Sequence, residues 1–374
     1  MSYFQKLNVK FSYKVIFTKN VFKKDNNVLS NIIGQKNSSM VIFIDKGVIQ
    51  KWPFLQKDII NWYEHHRNLK LVSSPILVQG GEKVKNINII NKVGNIINKY
   101  NLCRHSFVII VGGGAVLDAI GFAAPITHRG LRQIRIPTTV LSQLDSGVGV
   151  KNGINHFGIK NYYGTFAPPF GVINDTEFIK TLSNRDWVSG IAEAFKVAII
   201  KDKNFLKFLS KNAEKLHNRD YKTMVKTIKK CAYLHLDHIK KGKDPFEFGS
   251  SRPLDFGHWA AHRLEELTNF SLRHGEAVAV GIALDLHCCV KLGLISESDC
   301  EYACNAMERC GLTLWHPALE DKSILVGLEE FRKHLGGKLT LTMPDGIGRK
   351  VEIHELPEKI ILDSIKKLKH RKFC

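Results

Sequence analysis

The chain has 374 residues, 44% of them hydrophobic, which is length for about two domains and enough apolar content to bury substantial cores. Its formal charge of +20 raises nucleic-acid binding as a function class. The lysines are scattered among asparagine and isoleucine, as in "NINIINKVGNIINKY", which reads as a solvated face, so no nucleic-acid partner is expected.

In chain order, the opening "MSYFQKLNVKFSYKVIF" mixes lysines with aromatics and has no continuous apolar core, and a cytoplasmic location is expected. The runs "MVIFID" (40–45), "LKLVSSPILV" (69–78), "SFVIIVGGG" (106–114) and "QIRIPTT" (133–139) predict strands. Between the second and third, "EKVKNINIINKVGNIINKYN" carries apolar residues at helical spacing, and strand–helix–strand order predicts a parallel sheet covered by helices.

The stretch from Val108 to Gly130 has the length and apolarity of a membrane span, with one acid, Asp118. Its three consecutive glycines argue otherwise. "SFVIIV" reads as a buried strand, "GGG" as a turn that lets backbone approach a ligand, and "AVLDAIGFAA" as the start of a helix, so no membrane partner is expected. The spacing is not G-x-G-x-x-G, and the turn without a ligand remains an open reading.

Past the turn "APPFGVIND", strand signals fade and helical segments dominate to about Gly311, which places a domain boundary after Asn174, between 1–174 and 175–374. "SNRDWVSGIAEAFKVAIIKD" begins with a plausible cap at Ser183 and an acid at Asp186. In "GIAEAFKVAII", Glu193 and Lys196 share a face inside a run apolar on every side, and buried charges are costly unless paired or bound to metal. Either an ion pair locking helices or a metal-binding carboxylate beside a catalytic lysine would account for them.

In "RPLDFGHWAAH", His258 and His262 lie four residues apart on one helix face, and His274 opens the next helix. With Glu193, two of these histidines would make the carboxylate and imidazole set of a catalytic divalent metal. "DSGVGVKNGINHFGIKNYYGTF" offers glycines, Asp145, Lys151, Lys160 and Asn161 as a phosphate- and hydroxyl-binding loop, and it is too aromatic for a plain solvated one. The eight cysteines contain no C-x-x-C pair, so reduced thiols are expected.

The motifs "GGEKVK", "GGGAVLDAIGF", "HRGLRQIRIPTT", "DSGVGVKNGIN", "GIKNYYGTFAPP", "SGIAEAFK", "DFGHWAAH" and "HGEAVAVG" occur in the order and spacing of the dehydroquinate synthase family of sugar phosphate cyclases, which the chain resembles from about Asp45 to Gly348. Within that family, "RPLDFGHWAAH" and "DSGVGVKNGIN" are most similar to the cyclase of ebo-type metabolite clusters. The resemblance implies an α/β plus all-α fold: an N-terminal Rossmann-like parallel sheet with helices, and a C-terminal, mainly helical, metal-binding domain.

By position, the resemblance sets NAD against Asp45, Glu82, Lys85, Gly112, Gly113, Gly114, Asp118, Thr138, Thr139, Lys151, Lys160 and the segment holding Phe178, Thr181 and Leu182. It implies zinc or cobalt on Glu193, His258 and His274. Asp145, Lys151, Asn161, Lys196, Arg252 and His262 fall on substrate positions, and Arg129 on an arginine given to the neighbouring subunit of a homodimer. The implied reaction is NAD-assisted oxidation of a sugar phosphate, β-elimination of phosphate, re-reduction and aldol cyclisation, the work of a carbon–oxygen lyase acting on phosphates.

The sequence departs from the family at three places. Asp255 replaces the asparagine before "FGH", Asp237 and His238 stand where a lysine reads a substrate carboxylate, and "FRK", Phe331 to Lys333, replaces D-K-K. These changes bear on the substrate: a sedoheptulose 7-phosphate cyclase of the 2-epi-5-epi-valiolone synthase type is one alternative. A metal-dependent polyol dehydrogenase of the glycerol dehydrogenase type is another, and a basic nucleic-acid-binding module without activity is a third.

Overall fold

The computed structural model describes residues 2–7, 9–34, 37–241, 246, 254–334 and 336–373. Two compact units emerge, Met1–Thr138 with Val150–Glu177, and Thr139–Gly149 with Phe178–Cys374, so Asp145 travels with the helical unit.

The first unit is built on a seven-stranded sheet. Its strands, and a hairpin apart from it, are β1 (Lys14–Thr18), β2 (Ser39–Asp45), β3 (Lys70–Leu71), β4 (Ile76–Val78), β5 (Phe107–Gly112), β6 (Arg132–Pro137), the hairpin strands β7 (Lys151–His156) and β8 (Ile159–Phe166), and β9 (Gly171–Asp175). The sheet order is β1-β9-β6-β5-β2-β3, with β4 also beside β2, and every pairing is parallel. β5 lies in the middle and is buried at every position, as the unbroken apolar run "FVIIVG" requires of a strand covered on both faces.

Helix α1 (Ile87–Lys99) crosses from β4 to β5, and α2 (Gly114–Ile126) follows β5; both pack into one core with Val41, Phe43, Val108 and Ile110 of the sheet. The bilayer-length stretch is thus a central strand followed by a buried helix, and among the described residues no helix is long and apolar enough to cross a membrane.

Some sequence expectations need correction. "LKLVSSPILV" is two short strands, because Ser73, Ser74 and Pro75 interrupt the ladder. "GVIND" is β9 and not a turn; it is buried between β1 and β6 and so lacks the alternation that marks a half-exposed strand. The glycine-rich loop is largely the antiparallel hairpin β7–β8, in which a Cβ on Gly153 would lie 2.9 Å from the Tyr163 carbonyl oxygen.

The second unit is mainly helical. α3 (Ile191–Lys201) is buried from Ile191 through Ile200, and packs against α4 (Tyr221–Lys241) and α6 (His274–Lys291). α5 (His258–Leu267) packs on α6, and α7 (Glu297–Arg309) follows. Gly257 and Gly281 make the α5–α6 crossing close: a Cβ on Gly281 would lie 2.0 Å from the Gly257 carbonyl oxygen, and Gly257 itself has φ +78°. The hairpin of β10 (Leu341–Pro344) and β11 (Lys350–Ile353) and the terminal helix Glu358–Phe373 complete this unit.

Candidate functional site

Within the sheet unit, the chain runs from β2 outward to β3 and β4, and from β5 to β6 on the opposite side. The order therefore reverses between β2 and β5, where an open parallel sheet leaves a crevice at its carboxyl ends. Asp45 ends β2 and the Gly112–Gly114 turn ends β5 at that point. Gly113 is the N-cap of α2 and no side chain caps that helix, so the first backbone N–H groups are left for an anion.

Asp45 accepts a hydrogen bond from Gly47 N at 2.8 Å. Burial pushes its carboxyl above the usual range, and backbone N–H groups of Gly47 and Gly113 pull the other way. A Cβ on Gly80 would fall 2.2 Å from Asp45 Oδ1, so glycine is needed there for the acid to keep this position.

Beside the turn, Lys85 Nζ donates to Asp118 Oδ2 at 2.8 Å and to Asn161 Oδ1, and lies 3.8 Å from Glu82 Oε1. Asn155 Nδ2 donates to Glu82 Oε1 at 2.8 Å, while its Oδ1 accepts from Asn161 N at 2.9 Å. The hairpin thereby joins four residues from three distant parts of the sequence: Glu82 and Lys85, Asp118, and Asn161. Asn155 was not singled out by sequence reasoning, although "NGIN" repeats its residue type within the loop. Buried Arg135 donates to Asn152 Oδ1 at 2.5 Å and ties β7 to β6. Thr138 is buried after β6, while Lys151 and Lys160 lie on the hairpin.

In the helical unit, Thr139 shares hydrogen bonds with Ser142 at the turn that leads to Asp145. Phe178 and Thr181 belong to the 3-10 segment Thr176–Thr181, with Leu182 next. Arg129 is exposed in a turn where His128, Arg129 and Gly130 all have positive φ. Arg252 lies outside the described residues.

The helical unit gathers its charges around α3. Glu193 is 2% exposed, and its Oε1 faces His258 Nε2 at 3.5 Å and His274 Nε2 at 3.4 Å. Its Oε2 lies 2.5 Å from Lys196 Nζ, which donates to Asp145 Oδ2 at 3.0 Å. His235 Nδ1 stands 3.2 Å from Asp145 Oδ1. Sequence reasoning missed His235, because histidines in a long amphipathic helix rich in lysine, here His235 and His238, carry no ligand pattern by themselves.

Three donor atoms of Glu193, His258 and His274 lie within 4.8 Å of one another. Zinc bonds of about 2.0–2.2 Å to nitrogen and oxygen put tetrahedral ligand atoms roughly 3.4 Å apart, which the two Glu193–histidine distances match. The remaining ring nitrogens also fit. His258 Nδ1 contacts the Phe256 carbonyl oxygen at 3.0 Å, and His274 Nδ1 contacts Glu265 Oε2 at 3.0 Å. Both Nδ1 atoms then carry the proton and both Nε2 lone pairs are free for a cation. His262 stacks on His274 with ring centroids 6.0 Å apart, and His262, Glu265 and His274 form an overlapping donor group.

Burial alone would raise the Glu193 carboxyl, but Lys196 and the two histidines hold it well below its usual value. Burial works on Asp145 likewise, and Lys196 and His235 keep it low. For Lys196, burial opposes the charge, yet the two carboxylates raise its pKa. Asp145, Glu193 and Glu265 bring three carboxylates to this group, the last two buried, alongside the Lys196 ammonium, and a dication would offset the excess.

Models of the 3-dehydroquinate synthase N-terminal and C-terminal regions match residues 75–189 and 190–333. The 3-dehydroquinate synthase of Aliivibrio fischeri is 35% identical over 291 residues, 77% of this chain and 80% of that protein. The chain belongs to the 3-dehydroquinate synthase family. Another member, from Buchnera aphidicola subsp. Cinara cedri, is 32% identical over 365 residues, 97% of this chain and 96% of its own. The family fold is shared with 2-epi-5-epi-valiolone synthase from Streptomyces hygroscopicus subsp. jinggangensis, solved with NAD+ and Zn2+ bound: TM-score 0.90, 24% identity, 99% of this chain and 100% of that one.

Proposed function

We propose that this member of the 3-dehydroquinate synthase family is a sugar phosphate cyclase that holds NAD at the Asp45–Gly114 turn and a zinc-class dication on Glu193, His258 and His274. The observation that carries the reading is the Glu193 group: two imidazole Nε2 atoms at 3.4 and 3.5 Å from one buried carboxylate oxygen, each tautomer fixed from behind. When bound, NAD supplies a reversible hydride acceptor and the dication polarises a substrate oxygen.

The chain's own residues do the rest. Asp45 is positioned to accept from a ribose hydroxyl, and the uncapped N–H groups of α2 meet the pyrophosphate. The Lys196–Asp145 pair orients the hydroxyl being oxidised, the Lys196 ammonium donating to its oxygen and the Asp145 carboxylate accepting its proton. Oxidation would make the adjacent C–H acidic, the leaving phosphate would carry off that proton, the hydride would return to the oxidised carbon together with the proton held at Asp145, and the opened sugar would close by an aldol step. Lys151, Asn161, His262, Arg252 and a homodimer partner's counterpart of Arg129 are assigned to the substrate, its phosphate above all.

A second reading concerns which sugar phosphate reacts. Asp255 stands where the family has asparagine, and Asp237, one of the two residues with His238 where the family has a lysine, pairs with Lys241 at 2.7 Å on the surface of α4, so neither aspartate supplies a cation to a substrate carboxylate. That favours sedoheptulose 7-phosphate over the seven-carbon acid phosphate that leads to dehydroquinate. Phosphate release from each sugar, with NAD and zinc or cobalt supplied and the carbocycle identified, decides between them. If neither sugar releases phosphate and Lys196→Met changes nothing, the cyclase reading fails.

A further inference from the structure

We propose that His287, Cys300 and Cys304 form a second cation site, for a thiophilic divalent ion of the zinc class, independent of the Glu193 group. His287 lies on α6, and the two cysteines lie four residues apart on α7, so both thiols share one face of that helix. One donor atom from each residue lies within 4.8 Å of the other two. Cys300 Sγ stands 3.7 Å from His287 Nδ1. With zinc–sulfur bonds of about 2.3 Å and zinc–nitrogen bonds of about 2.0 Å, tetrahedral sulfur and nitrogen ligands stand roughly 3.6 Å apart, so this pair is already spaced for one ion.

The orientation of the ring says which nitrogen would bind. His287 is buried, and its close polar contact runs from Nδ1 to the Cys300 thiol, while Nε2 has no hydrogen-bond partner. Nδ1 is therefore the ligand atom, and the ring is held toward the two sulfurs without a hydrogen bond at its other nitrogen. Soft sulfur donors also set this group apart from the oxygen and nitrogen donors around Glu193, and select zinc-class ions over hard cations such as magnesium.

Binding replaces two S–H bonds by two metal–sulfur bonds and releases two protons. A dication, two thiolates and a neutral imidazole sum to zero charge, the least costly state for a fully buried group. The ion would clip α6 to α7, and α6 is the helix that begins at His274.

The test uses the full chain, unfolded and refolded under a phosphine reductant with Co2+ as the probe, since buried donors load most readily during folding. Two Co2+ per chain are expected, one of them giving thiolate-to-cobalt charge-transfer absorption in the near ultraviolet, which carboxylate and imidazole ligands do not produce. Cys304→Ser removes that band and lowers the stoichiometry from two to one. Glu193→Gln lowers the stoichiometry as well but keeps the band, so failure at the Glu193 group leaves this proposal standing.

A natively folded wild-type chain that takes up Co2+ with no thiolate band overturns the proposal, whether or not any variant folds. So does a band that survives Cys300→Ser and Cys304→Ser. His287→Gln keeps both thiols and is the second variant; a band unchanged in position and in Co2+ affinity there also overturns the site.

Discussion

Glu265 stands behind the His274 imidazole, and the metal reading makes its replacement measurable. Its carboxylate is 4% exposed and accepts from His274 Nδ1 at 3.0 Å, which fixes the tautomer and raises the basicity of Nε2. Removing such a partner weakens metal binding by roughly 10- to 100-fold, about 1.4–2.8 kcal/mol at 1.4 kcal/mol per decade. The two ends of that range correspond to different variants. Glu265→Gln keeps an acceptor oxygen opposite Nδ1 and loses only the charge, so about tenfold is expected. Glu265→Ala loses both and should approach 100-fold. The assay is competition for Zn2+ against a chelator of known affinity, with folding checked by circular dichroism. Unchanged Zn2+ affinity in natively folded Glu265→Ala would refute the idea that His274 is a ligand oriented from behind.

Three further outcomes are expected. Lys196→Met in the metal-free protein leaves buried Glu193 and partly buried Asp145 without their shared ammonium, which should cost about 3–5 kcal/mol in urea unfolding; added Zn2+ should recover part of that loss. Asp285 accepts from Gly257 N at 2.9 Å and Trp259 Nε1 at 2.8 Å, and burial lifts its carboxyl from 3.8 to about 7. The unfolded chain therefore ionises first as pH rises, and this residue's contribution to stability falls between about pH 4 and pH 7 and then levels off. The difference between wild type and Asp285→Asn in urea unfolding should show that slope, and a flat difference counts against it. Gly80→Ala should displace Asp45, whose Oδ1 lies 2.2 Å from the added Cβ, weakening NAD binding by fluorescence titration while leaving Zn2+ affinity unchanged.

The legible part of this molecule was whatever one segment encodes alone. β5 and α2 follow from an apolar run, a glycine turn and a second apolar run, and the helix carrying His258 and His262 and the helical start at His274 follow from local pattern. The suspicion attached to Glu193 and Lys196 came from the same logic, since charges inside an all-apolar helix demand partners. The partners themselves were less visible. His235 reaches Asp145 across 90 residues of sequence, and Glu265 stands behind His274 only because α5 and α6 cross at Gly257 and Gly281. β9 and the β7–β8 hairpin were missed because a short strand buried on both faces, or one broken by glycine, shows no alternation, and the edge strand β1 is half-buried along most of its length and shows none either.

The central claim is that hydride leaves the substrate and returns to it within one turnover that expels phosphate. The most direct test follows a sugar phosphate deuterated at the carbon to be oxidised, with NAD and Zn2+ supplied. The account predicts one inorganic phosphate per carbocyclic product, deuterium retained in that product, and no accumulation of NADH. Reduced cofactor that carries the deuterium and accumulates, with no phosphate released, would contradict it and point to a polyol dehydrogenase instead.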